Sequence, residues 1–182
     1  MDLNKRFVVL ILAICCFQLA FGQFDNSLKG VPVKDRLMFG GNVAAQFGTY
    51  TWLELSPSVG YLVTEKYMTG IGLSFIYSKY NDPNFPTYES KRYGIRNFHR
   101  FYITESLFAW GEIEWLNFEY QEPFFPYELD RIWYTSYFVG GGYMSRFPNG
   151  KGGMYVSFLY NLNHGPESPY SSAIVPRIGI FF

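Results

Sequence analysis

Residues 67–80 read YMTGIGLSFIYSKY. In an extended chain, successive side chains point to opposite faces. Ile71, Leu73, Phe75 and Tyr77 then share one face, and Gly70, Gly72, Ser74 and Ser78 share the other. A helix would instead group its apolar residues every three or four positions. The pattern is therefore a strand. Its second face is unusual, being small rather than charged. A strand facing water normally carries Lys and Glu there.

The same alternation extends in both directions from this stretch. In WLELSPSVGYLV (52–63), Leu53, Leu55, Val59, Tyr61 and Val63 oppose Glu54, Ser56, Ser58 and Gly60. In YVSFLYNL (155–162), Val156, Phe158, Tyr160 and Leu162 oppose Ser157 and Asn161. Eight such segments fit the chain, at roughly 36–47, 52–63, 67–80, 92–103, 107–120, 131–146, 153–162 and 172–182. Most are longer than the usual strand of about 5–6 residues. They match the ~9–11 residues that a tilted strand needs to cross a bilayer. TEK, TES and FPNGKG, the last with the turn pair Asn149-Gly150, are short connections. NDPNFPTYESK, QEPFFPYELD and NHGPESPYS are long ones, and the short GTYT departs from the alternation. Short turns on one rim and longer loops on the other are the plan of an outer-membrane barrel. An even strand count puts both ends of the sheet on the short-turn rim.

Composition agrees. Of the 182 residues, 21% are aromatic and only 16% charged, against roughly 25% charged in soluble domains. Lys+Arg and Asp+Glu are both 15, so there is no basic footprint for nucleic acid. The opening MDLNKRFVVLILAICCFQLAFGQ has a positive start at Lys5 and Arg6, an apolar run from Phe7 to Ala20, and Ala20 and Gly22 before Gln23. It reads as a secretory signal peptide cut after residue 22. Neither Cys15 nor Cys16 follows a small residue as a lipidation site requires, and both leave with the signal. The mature chain then offers no disulfide, thiolate ligand or Cys nucleophile. The expected organisation is a signal peptide over 1–22, a periplasmic lead-in over 23–35, and the barrel over 36–182.

The orientation decides the class. Small residues suit the crowded interior of an eight-stranded barrel. Bulky apolar residues pointing outward require lipid. Hydrocarbon gives backbone groups no partners, so the last strand must pair with the first. Ile174, Ile178, Ile180 and Phe182 would face lipid, with Arg177 and Gly179 in the lumen. Pro57 and Pro176 fall inside strands, where bulges or rim positions are expected. With Arg96 and Arg100 inward, Asn97 and His99 fall on the lipid face unless the register shifts in that strand.

Candidate sites follow from the same parity. A hairpin centred near Glu105 puts Arg96 opposite Glu114, with Arg100 and Glu112 as diagonal neighbours. Glu54 and Arg177 add lumenal charge of both signs. These six residues are expected to form an ion-pair network filling the barrel, since a buried charge needs a partner. A gate or a polar-solute site is the functional alternative. His164 lies near Glu167, Ser168 and Ser171, the residue types of a lipid hydrolase, but all are crowded on one loop rather than held on strands. No catalytic residue, metal ligand or cofactor is assigned; two His and no Cys support ligation poorly. Tyr50, Trp52, Tyr67, Tyr77, Tyr80, Trp133, Tyr134 and Tyr137 are candidates for interfacial girdles. Phe124, Phe125 and Tyr127 in PFFPYELD would stand outside the membrane, where a surface partner could meet them.

The terminal IVPRIGIFF, with Ile178, Ile180 and Phe182 at alternate positions, resembles the C-terminal signal of bacterial outer-membrane proteins. That likeness implies recognition by the barrel-assembly machinery. The stretch GGNVAAQFGTYTWLELSPSVGYLVTEKYMTGIGLSF and the glutamine after the cleavage site resemble the small outer-membrane barrels of Bacteroidetes-type bacteria. The architecture implied is that of the OmpA- and OmpX-like barrels. The expectation is an eight-stranded antiparallel up-and-down transmembrane β-barrel in the bacterial outer membrane, in contact with its lipid, with a structural or surface role and no catalysis. A lipid-modifying hydrolase, a narrow porin-like channel and a secreted lipocalin-like binder stay open as alternatives.

Overall fold

The computed structural model describes residues 28–81, 87–121, 129–148 and 152–182. The expected signal segment 1–22, residues 23–27, the Asn149-Gly150 turn and the loop residues Phe124, Phe125 and Tyr127 lie outside them. Eight strands follow in order: β1 (Leu37–Gln46), β2 (Tyr50–Thr64), β3 (Tyr67–Tyr80), β4 (Tyr88–Tyr102), β5 (Leu107–Gln121), β6 (Leu129–Arg146), β7 (Gly153–Asn161) and β8 (Ile174–Phe181). Each pairs antiparallel with the next, and β8 pairs with β1, so the sheet is a closed up-and-down barrel. Arg36, expected at the start of β1, belongs instead to a 3-10 turn, Val33–Arg36. Its guanidinium donates to the carbonyls of Val31 and Leu28 and to Tyr61 Oη. Those bonds fasten the lead-in to the barrel mouth.

The register fixes the cylinder. From Leu37 the pairing runs through Tyr61, Thr69, His99, Gly111, Val139 and Tyr160 to Ile174. Crossing back to β1 on the register that joins Gly40 to Phe181 arrives at Phe47, not Leu37. That stagger tilts the strands and sets the bore. Both ends of the sheet lie on the short-turn rim, where Lys34, Lys66, Glu105, Gly152 and Phe182 surround one mouth.

The outward face is apolar. Ile71 is 58% exposed, Phe158 60% and Ile178 60%, and Leu55, Leu73, Phe75, Ile95, Val139 and Val156 are exposed beside them. A belt of this kind is an aggregation surface in water. Inside, Ser56, Ser58, Ser74, Ser136 and Ser157 are buried, as the alternation requires. The lumen is not small throughout, however. It also holds a cluster of Met68, Phe98, Tyr102, Phe108, Trp110, Phe138, Met144, Tyr155, Leu159 and Phe181, which reaches from the short-turn rim to Phe138 beside Tyr170. Lumenal glycines leave the room for it. A Cβ on Gly70 would strike the Phe98 ring, one on Gly142 the Phe108 ring, and one on Gly60 the Met68 sulfur. Glycine opposite aromatic is how these rings find room inside the wall.

The irregular positions resolve differently from one another. Pro57 makes no bulge: β2 holds one register with β3 on both sides of it, and the ladder is merely interrupted at Ser56 and Pro57. The one register shift between β2 and β3 lies instead between Leu62 and Thr64. Pro176 pairs with Phe158 of β7, beyond the stretch where β8 meets β1. No shift occurs in β4 either. Asn97 and His99 do point outward, and each has a partner: Asn97 Nδ2 donates to the Gly70 carbonyl at 3.0 Å, and His99 Nδ1 lies 2.7 Å from Tyr67 Oη. Of the expected girdle, Trp133 and Tyr137 are exposed outward and Tyr67 and Tyr77 are half-buried on the outward parity. Trp52, Tyr80 and Tyr134 carry the lumenal parity, so they do not belong to it. The Tyr50 side chain is outside the description.

Gly41 is a backbone position that a side chain does not fit. Its φ is +146°, and a Cβ there would overlap the Ser56 carbonyl. Gly111 has open space around the same position. Gly41→Ala should lose more than the ~1–3 kcal/mol of a strained backbone, while Gly111→Ala should be close to neutral. The urea midpoint of the folded-barrel gel band measures both.

Candidate functional site

The lumen carries all six charges singled out from the sequence. Arg96, Arg100, Glu112, Glu114 and Arg177 are buried, and Glu54 is half-buried. Arg96 and Glu114 are opposite in the β4–β5 register, and Glu112 is opposite Phe98, diagonal to Arg100. The side chains nevertheless choose other partners. Arg177 of β8 is the hub. Its Nη2 donates to Glu112 Oε1 at 2.6 Å, and its guanidinium lies 4.0 Å from both Glu54 and Glu114. Its Cζ also stands 5.4 Å from the Phe138 ring.

Arg96 makes no ion pair among the described residues. Its Nη2 donates instead to Asn42 Oδ1 (3.3 Å), the Ser56 carbonyl (3.0 Å) and Ser58 Oγ (3.1 Å) on β1 and β2. Tyr155 Oη donates to the same Asn42 oxygen. Arg100 departs furthest from expectation. Its guanidinium sits 4.3–5.0 Å from the rings of Phe108, Trp110, Tyr155 and Phe181, and none of its nitrogens has a hydrogen-bond partner among the described residues. The ring quadrupoles attract the cation. The reason is geometric. On the concave face of a narrow cylinder, side chains converge on the axis. Arg100 meets its paired neighbour Trp110 and Phe108 on β5, and also reaches Tyr155 of β7 and Phe181 of β8 across the bore.

Glu114 is fixed by neutral donors. Ser74 Oγ donates to its Oε1 at 2.8 Å, and Tyr170 Oη donates to its Oε2. Ser56 Oγ donates to Glu54 Oε1 at 3.0 Å. Asn42, Ser56, Ser58, Ser74 and Tyr155 all lie on the lumenal parity, which could have nominated them. Tyr170 sits in the 162–173 loop, where no periodicity marks it. That loop dips into the long-loop mouth. Tyr170 packs edge-on against Phe138 with centroids 5.4 Å apart, and Arg92 Nη1 donates to the Pro169 carbonyl at 2.7 Å. Asn163 accepts from the Tyr137 amide and donates to the Thr135 carbonyl.

The loop residues considered for hydrolysis do not assemble. His164 and Ser171 are exposed, and no hydrogen bond joins the His164 ring to Ser168 or Ser171 among the described residues. Ser168 Oγ accepts from the Tyr170 amide, which makes it a turn cap. Ile178, Ile180 and Phe182 all point outward and are exposed. The arrangement thus has two lumenal layers: a cation in an aromatic box near the short-turn rim, and an arginine–carboxylate cluster above it, covered by Tyr170.

These layers make unequal stability predictions. Arg177→Met strands three carboxylates and should cost about 3–5 kcal/mol, as removing one partner of a buried pair does. Arg100→Met leaves no carboxylate behind, only a site walled by rings, and should cost clearly less. Urea unfolding followed by tryptophan fluorescence gives the order, and equal losses would contradict it.

No family model and no curated protein sequence matches the chain. Among solved structures, the N-terminal β-barrel domain of Pseudomonas aeruginosa OprF is similar at a TM-score of 0.43 and 12% identity, over 81% of this chain and 96% of that one. The barrel assignment stands on this chain's own strand pairing.

Proposed function

We propose that the protein is an integral β-barrel of the bacterial outer membrane, with a structural or surface role and no catalysis. The observation that carries the reading is the orientation of the wall. A closed cylinder turns its bulky apolar side chains outward along every strand, and only hydrocarbon makes that favourable. The occupied lumen argues against a steady aqueous pore, because the Arg100 layer and the Arg177 layer lie in series below Tyr170. The exposed Ile178, Ile180 and Phe182 suit recognition by an assembly machinery, and the long loops suit a surface partner.

A detergent-solubilised sample should migrate differently on gels before and after boiling, and should give no steady conductance in planar bilayers. A chain that stays soluble without detergent would overturn the reading. Phe158→Arg, at the middle of β7, should cost about 2–4 kcal/mol in a bilayer. In water the same change on an exposed aromatic would cost almost nothing, so the two solvents give opposite results.

A further inference from the structure

The wall is not equally closed all the way round. Between β1 and β8 the register pairs are Gly40 with Phe181, Gly41 with Ile180 and Asn42 with Gly179. Phe39 and Phe182 exchange both backbone bonds below them, at 2.9 and 2.8 Å. Above Asn42 the seam has no paired positions. Residues 43–46 of β1 continue to pair with β2, and residues 174–178 of β8 with β7. The mutual bonds of Phe39 and Phe182 set the alternation along the seam. By that alternation Val43 and Ala45 face β8 with their amides and carbonyls, and the Asn42–Gly179 pair uses the Val43 amide on the Ile178 carbonyl. Beyond it the Ile178 and Ala45 amides have no partner across the seam among the described residues, and Pro176, in line with Ala45, aims its ring nitrogen at β1. Proline has no N–H to give. The flanking side chains Val43, Ile174 and Ile178 are apolar and exposed, so the unpaired stretch lies inside the apolar belt rather than above it.

A second observation meets the first at Val43. The outer wall beside the seam holds a groove of about 580 Å³, lined by Val43, Leu55, Pro57, Leu73, Ile95 and Ile180, with Gly41 in its floor. Gly41 has no side chain and Pro57 a compact one, which recesses the wall there. The groove is therefore apolar along its length and ends beside unpaired backbone polar groups.

We propose that this sector is a lateral lipid site: one acyl chain of a bilayer lipid lies in the groove, and polar atoms of the same lipid meet the open edge of the seam. The proposal rests on the membrane reading above. In hydrocarbon an unpaired amide costs several kcal/mol, so the occupant must offer acceptors as well as apolar length. An added strand, from a second copy or another protein, would need an unbroken row of donors on β8, and Pro176 interrupts it. An amphiphilic lipid needs no such row.

The test uses the barrel in phosphatidylcholine vesicles doped with a phosphatidylcholine bearing a photoreactive acyl chain. Adducts on the β1–β2 peptides should exceed those on β5–β6 peptides several-fold. The Ile178 and Ala45 amides should exchange with deuterium at least about tenfold faster than those of Phe39 and Gly41. Pro176→Val restores a donor opposite Ala45, and should slow exchange at Ala45 and lower the β1–β2 labelling. Equal protection of all four amides, or adducts spread evenly round the barrel, overturns the lipid site. So does a disulfide-linked dimer of Val43→Cys in place of lipid adducts, the chain's own Cys15 and Cys16 preceding residue 23. A boiled-versus-unboiled gel shift on the same sample separates the two levels. A shift with even labelling sinks the site alone, whereas no shift and no labelling sinks the membrane reading with it.

Discussion

The structure depends on one constraint: strand backbone groups find their hydrogen-bond partners in the neighbouring strands, so the sheet must close on itself. Seven of the eight strand junctions meet this by hairpin pairing between sequence neighbours. The eighth joins the two ends of the sheet and must be made without a connecting turn. Its closure rests on Gly40–Asn42 and Gly179–Phe181, with the reciprocal bonds of Phe39 and Phe182 below. Gly152 in the last short turn fits closely against the Phe181 carbonyl, and its φ of +70° lies in the left-handed region that favours glycine. The last strand is therefore built into the cylinder. The same junction has the fewest register pairs of the eight, and Pro176 offers no donor where its pairing would continue.

Closing the wall creates a second demand, which is to fill what it encloses. The short-turn half answers with aromatic rings set against glycines, and with a guanidinium enclosed by four of those rings. The other half answers with a cluster in which one arginine faces three carboxylates. Desolvating these groups is expensive, and only near-complete pairing offsets it. The serines around Glu54 and Glu114 and the hydroxyl of Tyr170 supply part of that pairing, while Glu112 Oε2 and Arg177 Nε have no hydrogen-bond partner among the described residues. A surface loop thus completes a network whose charged members all stand on strands.

Much of this was legible from residue order, for physical reasons that can be named. Strand parity is a local property, so Leu73 outward and Ser74 inward follow from alternation alone. Antiparallel register next to a short turn is also nearly local, which is why Arg96 falls opposite Glu114 as the hairpin near Glu105 requires. Asn97 and His99 look misplaced on an apolar face only until Gly70 and Tyr67 are brought beside them by β3. Pro57 looks like a bulge only because a strand read by itself does not reveal that its ladder can lapse without slipping.

The sequence by itself determined eight strands, which face of each is apolar, and hence a cylinder with its bulk outward, because these depend on neighbours along the chain and on the solvent they imply. Only the tertiary structure decided what meets across the bore. Arg177 with Glu112, Arg96 with Asn42 and Ser58, Arg100 within its rings, and Tyr170 on Glu114 join residues from strands far apart in order. Those contacts are set by the stagger and radius of the closed sheet, and neither exists until the last strand has met the first.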